Sequence, residues 1–119
     1  MDTHVFVGLA GYVGRPEEEG AVGVFRKSIT DDKWEHVLDC NDAHVVYVHP
    51  NSPNYVFAGT DDGIWRSIDK GLTFEKTNFP SDGIGIWSFL TLEDNPDIMF
   101  AGGSPIEIFK SYDRGENWI

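Results

Sequence analysis

The chain has 119 residues, 13 of them glycine, with 13 % aromatics and a formal net charge of −11 from 9 basic and 20 acidic residues. That length fits one ordinary domain. The acidic balance disfavours a nucleic-acid backbone or an anionic membrane as partner, because both need clustered Lys and Arg.

The first strand-like run, 4–8, holds Phe6-Val7-Gly8, and nothing ahead of it reads as a pairing strand. Val24-Phe25-Arg26 begins a second run after a long connection, and Trp34 marks a further one. Residues 45–49 then form an apolar inner strand, and 50–54 a loop, since its two prolines and two asparagines cannot continue a ladder. A second strand covers 55–59, Asp61-Asp62-Gly63 makes a tight turn, and strands follow at 64–68 and 73–77. Beyond these, Phe89-Leu90-Thr91 aligns with Val46-Tyr47-Val48, Phe100-Ala101-Gly102 with Phe57-Ala58-Gly59, and Ile108-Phe109-Lys110 with Ile64-Trp65-Arg66. No stretch reads as a helix.

Self-alignment is strongest at Arg66-Ser67-Ile68-Asp69-Lys70-Gly71-Leu72-Thr73-Phe74, which returns 44 residues later as Lys110-Ser111-Tyr112-Asp113-Arg114-Gly115-Glu116-Asn117-Trp118. The anchor aromatics Phe25, Trp65 and Phe109 stand 40 and 44 residues apart, the usual length of a four-stranded propeller blade. The expected fold is therefore all-β, a propeller of four-stranded antiparallel blades present as an incomplete N-terminal portion of about two and a half blades. The expected units are 1–43, lacking its inner strand, 44–86, complete, and 87–119, stopping at the opening of strand four. The remainder of the ring is expected from further C-terminal sequence. Within the repeated string, Ser67 and Asp69 satisfy the turn's own backbone and Gly71 supplies positive φ. Phe74 is expected to pack over Trp65, and Ser111, Asp113, Gly115 and Trp118 repeat these roles. In the first copy Lys27, Ile29 and Asp31 replace Ser, Asp and Gly while Trp34 remains, so that turn is expected to lose its hydrogen bonds and keep its packing.

This string resembles the Asp-box, or bacterial neuraminidase repeat, of sialidases, some endoglucanases and xyloglucanases, sortilin-type receptors and a photosystem II assembly factor. The resemblance implies that the box lies at the outer rim and is structural, which makes Ser67, Asp69, Gly71, Phe74, Ser111, Asp113, Gly115 and Trp118 scaffold. A sialidase would carry an aromatic-Arg-Ile-Pro string; Gly14-Arg15-Pro16 lacks the aromatic and the Ile, which argues against sialic-acid hydrolysis. WD40 and Kelch propellers are disfavoured, since no Trp-Asp dipeptide occurs and Gly102-Gly103 does not recur.

Function is sought where the copies differ. The connection from Gly8 to Phe25 spans 17 positions, against six and seven in the other copies, and brings Tyr12, Arg15, Glu17 and Glu18. Loops on a rigid scaffold are where binding resides. His44 and Trp87 occupy equivalent positions at the entry to the inner strands, an imidazole and an indole suited to a sugar ring or a cationic group. Asp39, Glu107, Cys40, Asp61, Asp62 and Asp82 supply polar groups nearby. No nucleophile elbow, phosphate loop, metal-ligand spacing or cofactor motif is present, so neither metal nor cofactor is expected. The lone Cys40 permits no intrachain disulfide and the start carries no secretory leader, so a cytoplasmic location is expected. Two functional readings stand: a non-catalytic binding or assembly scaffold for a carbohydrate or protein ligand, and, as the alternative, part of a glycoside-hydrolase-like enzyme. The first leads, because no pair of acid/base carboxylates can be named.

Overall fold

The computed structural model describes residues 3–10, 22–40 and 42–119. Its ten strands form three antiparallel sheets, and no helix occurs among the described residues. The first sheet holds β1 (His4–Leu9), β2 (Gly23–Ser28) and β3 (Glu35–Leu38) in that order. The second holds β4 (Ala43–Val48), β5 (Val56–Thr60), β6 (Gly63–Ser67) and β7 (Glu75–Lys76), and the third β8 (Gly85–Thr91), β9 (Met99–Ser104) and β10 (Glu107–Ser111). These sheets are propeller blades, and they share one register. Phe6 faces Arg26 across the ladder, Phe57 faces Arg66, and Phe100 faces Lys110.

The core lies between blades. Val24 and Leu38 of the first blade meet Ala43 and Ala58 of the second. Phe57 and Ile64 of the second meet Ile86, Met99, Ala101, Phe109 and Trp118 of the third. Each blade therefore buries apolar side chains against its neighbour, as stacked sheets must.

Both Ser-x-Asp-x-Gly segments close as hydrogen-bonded turns. The Ser67 hydroxyl donates to Asp69 Oδ1 at 2.7 Å and accepts from the Gly71 N–H at 2.8 Å. Asp69 accepts in addition from the Thr73 N–H at 2.9 Å and the Thr73 hydroxyl at 2.6 Å. Ser111, Asp113 and Gly115 repeat the pattern, with Asn117 in the place of Thr73. Gly71 and Gly115 have φ of 81° and 83°, and the basic residues before them, Lys70 and Arg114, are also left-handed at 63° and 54°.

The glycine is required for a second reason. A Cβ on Gly71 would stand inside the Phe6 ring of the preceding blade, and one on Gly115 inside the Phe57 ring. Beside each ring the preceding blade's arginine reaches the same turn. Arg26 Nη1 donates to the Lys70 carbonyl at 3.2 Å, and Arg66 Nη1 to the Arg114 carbonyl at 3.1 Å. The box thus joins blade to blade as well as strand to strand.

Several local expectations are corrected. Strand four of the second blade is only β7, because Thr73 turns into the Asp69 bonds and Thr77 caps the Ile64 carbonyl. The inner strand runs two residues earlier than expected, from Ala43, and leaves out His49. His49 instead is fully buried between blades: its Nδ1 accepts from the Asn51 and Ser52 N–H groups, and Nε2 donates to the Pro96 carbonyl at 2.7 Å. Trp34 does not pack as expected; it is 46 % exposed, with Lys27 Nζ 5.7 Å from its ring centroid. In this blade the turn lacks the Ser, Asp and Gly of the other copies and closes through the Asp31 N–H donating to the Ser28 carbonyl at 3.0 Å. Phe74 and Trp65 both pack against the cluster between the first two blades.

Two outcomes are expected. Gly71→Ala and Gly115→Ala each lose about 2–4 kcal/mol in urea unfolding, from the left-handed backbone plus the ring collision. Gly83→Ala, at φ 72° with nothing within 4 Å, loses about 1 kcal/mol through backbone strain alone. The second outcome concerns acid. Burial alone would raise the Asp69 pKa, but hydrogen bonds from Thr73 and Ser67 outweigh it and hold the carboxyl at about 2, below its usual 3.8. Asp113 is lowered for the same reason by Asn117 and Ser111. A folded-state value below the unfolded one means stability is complete above the ordinary value and declines as pH falls towards the folded one. Denaturant midpoints should therefore drop between pH 3.8 and about 2, and less steeply in Asp69→Asn.

Candidate functional site

At the end of the blades where the inner strands begin, β4 and β8 each contain a β-bulge. Pairing of β4 with β5 steps from Ala43 to Val45, leaving His44 as the extra residue. Pairing of β8 with β9 steps from Ile86 to Ser88, leaving Trp87 as the extra residue. A bulge re-aims a side chain out of the alternation of its strand. Here the two bulged residues come together: the His44 and Trp87 rings stack with centroids 3.9 Å apart and planes 13° from parallel.

A third residue arrives from the β5–β6 turn. Thr60 organises that turn, donating to the Gly63 carbonyl at 3.0 Å and accepting from the Asp62 N–H at 2.9 Å, with Gly63 at φ 85°. This geometry brings Asp61 Oδ1 to 2.7 Å from His44 Nε2. Asp61, Trp87 and His44 converge over Gly85. A Cβ there would lie 2.7 Å from Asp61 Oδ1, 3.2 Å from Trp87 Nε1 and 3.5 Å from His44 Nε2. The His44 side chain is 8 % exposed beneath the stack, while the Asp61 carboxylate is 46 % exposed and Trp87 55 %. The result is an open indole with a carboxylate and an indole N–H on one edge.

Beside it lies a cleft of about 140 Å³ lined by Asp61, Asp62, Lys76, Phe79, Ser81 and Asp82. Lys76 Nζ lies 2.9 Å from Asp62 Oδ1, both exposed, so the cleft carries an excess of negative charge. Cys40 offers no nucleophile. Burial, then the charges of Asp39, Asp62 and Asp42, push its thiol up to about 11, which leaves it protonated at neutral pH. Among the described residues no group of three or more His, Cys, Asp or Glu gathers to hold a metal ion.

Of the residues singled out from sequence, His44 and Trp87 are in contact. Asp39 is exposed and acts on Cys40 through its charge, without joining the stack. Glu107 is exposed at the opening of β10 opposite Gly103 and shares no hydrogen bond with the cluster. Tyr12, Arg15, Glu17 and Glu18 lie outside the described residues. Asp61 proves central where sequence suggested only one polar neighbour among several. Gly85 was missed, and its signal was a glycine two residues before an aromatic that the aligned copy replaces with Asp42.

No family model matches the chain, and no curated protein matches it. Among solved structures it is similar to an ancestral GH74 enzyme, a β-propeller glycoside hydrolase, with a TM-score of 0.68 at 20 % identity. The match covers 82 % of this chain and 15 % of that one, so the chain spans a small part of that enzyme's length. The likeness establishes the β-propeller fold.

Gly85→Ala sets a methyl group against Asp61 Oδ1 and should break the Asp61–His44 hydrogen bond. The expected readout is a shift of the His44 ring resonances by NMR, matching that of Asp61→Asn, with the β-sheet signature unchanged.

Proposed function

We propose that the chain is an Asp-box repeat propeller segment that serves as a binding scaffold, taking a neutral carbohydrate on the open face of Trp87. In this reading Ser67, Asp69, Gly71 and Phe74, with Ser111, Asp113, Gly115 and Trp118, maintain shape, and recognition falls to the bulged residues. The observation that carries it is the stacked pair: His44 backs one face of the indole, so the exposed face is held still for a flat apolar partner. A sugar ring presents C–H groups to such a face and hydroxyls at its rim. The Asp61 carboxylate can accept a hydroxyl there, and the Trp87 N–H can donate to another. Preorganisation by the stack lowers the ordering cost of binding. The acidic surroundings disfavour anionic sugars.

Fold-level likeness to a glycoside hydrolase supports a second reading, in which this surface is part of a glycosidase cleft. Glycosidases work with two carboxylates roughly 5–10 Å apart, and Asp61 is the carboxylate best placed to be one of them.

Titration with neutral β-linked oligosaccharides, followed by tryptophan fluorescence and calorimetry, tests the first reading. Saturable binding that weakens tenfold or more in Trp87→Ala, about 1.4 kcal/mol, is expected. Absence of binding to every neutral oligosaccharide tried would sink it. Release of reducing sugar that disappears in Asp61→Asn would select the enzyme instead.

A further inference from the structure

The chain holds two Asp-Gly dipeptides, Asp62-Gly63 and Asp82-Gly83, and the fold treats them differently. In such a pair the glycine's main-chain nitrogen can attack the aspartate's own Cγ, because no Cβ hinders the approach and glycine reaches the backbone angles required. Asp62-Gly63 is locked against that step. The Thr60 hydroxyl accepts from the Asp62 N–H at 2.9 Å, and Lys76 Nζ holds Asp62 Oδ1 at 2.9 Å. Gly63 is paired with Thr60 at the start of β6, and its carbonyl accepts from the Thr60 hydroxyl at 3.0 Å. The Phe79 ring stands 3.6 Å from its Cβ position. Asp82-Gly83 has none of these restraints. It sits in the connection from β7 to β8, outside every ladder, with both residues exposed. Among the described residues neither makes a hydrogen bond or an ion pair. Gly83 has φ of 72° and nothing within 4 Å of its Cβ position, so the peptide plane between the two turns without striking a neighbour.

We propose that Asp82-Gly83 is a site of spontaneous isomerisation to isoaspartate, and that this change resets the His44–Trp87 stack. The Gly83 nitrogen forms a bond to Asp82 Cγ, while the amide proton and the carboxyl OH leave as water, closing a succinimide. Water then adds to either imide carbonyl. Addition at Cγ breaks the new C–N bond and restores aspartate. Addition at the Asp82 main-chain carbonyl breaks the original peptide bond and leaves the chain running through Cγ. Nothing is oxidised or reduced, and the mass is unchanged. The main chain gains a methylene just ahead of Gly85, the close approach on which Asp61, Trp87 and His44 converge at 2.7, 3.2 and 3.5 Å from its Cβ position. A longer connection shifts Gly85 and Trp87 against the Asp61 turn, which Thr60 and Lys76 hold in place. Neither step depends on what Trp87 binds.

The test ages the full chain in neutral buffer. Trypsin separates the two dipeptides into fragments 34–66 and 77–110. Isoaspartate in each is read with an isoaspartate-specific methyltransferase and as a second chromatographic peak of identical mass. In the native chain 77–110 should become labelled about tenfold faster than 34–66, because local order restrains only the latter. In urea the two rates should converge. Asp82→Glu, whose longer side chain closes such a ring far more slowly, should remove most of the label from 77–110. Equal native rates, or label in 77–110 that survives Asp82→Glu, overturn the assignment. By NMR the aged protein should show a second set of His44 ring resonances whose share matches the isoaspartate fraction. A single unmoved set in isomerised protein overturns the effect on the stack.

Discussion

A phenyl ring seated against a glycine in the next blade's turn holds this architecture together. Phe6 lies against Gly71 and Phe57 against Gly115, at a separation no side chain could share. The left-handed pair that ends each turn, Lys70-Gly71 and Arg114-Gly115, also aims a carbonyl back at the preceding blade. The guanidinium that takes this carbonyl comes from the residue paired with the same phenylalanine across the ladder. Ring, cation and turn therefore form one unit, and apolar burial between sheets follows from it.

The carboxylate at the centre of each box gives the turn its rigidity. Asp69 and Asp113 are each surrounded by donors from their own turn, which favours the charged form over the penalty of burial. Such a network is local. It needs only residues within a few positions, so it forms whenever the hairpin forms. The first blade shows the converse: without serine, aspartate and glycine the turn closes through Ser28 and Asp31, and Trp34 is left facing solvent.

A scaffold fixed in this way can carry unlike side chains at one geometric position. The bulges of β4 and β8 present His44 and Trp87 at equivalent places in successive blades, and blade packing brings the two rings into a stack. Asp61 then completes the group from a turn whose shape is set by Thr60 and Gly63. The chemistry of the site comes from residues that do not recur; its precision comes from those that do.

Repetition made the blades, their register and the hydrogen-bonded box legible from residues alone, because each depends on contacts within one hairpin. Comparison of copies likewise brought His44 and Trp87 into correspondence. Read as an unconstrained position, the residue before the box aromatic concealed the side chains of Thr73 and Asn117 that complete the carboxylate's shell. The burial of His49 and the convergence of Asp61 on Gly85 arise from packing between blades, and the shortness of β7 from the bonds that Thr73 and Thr77 make within their own blade. Linear sequence specifies which groups can bond to their near neighbours. Only the stacked arrangement decided which ring fills which glycine, since those partners come from different repeats and meet through the relative placement of whole sheets.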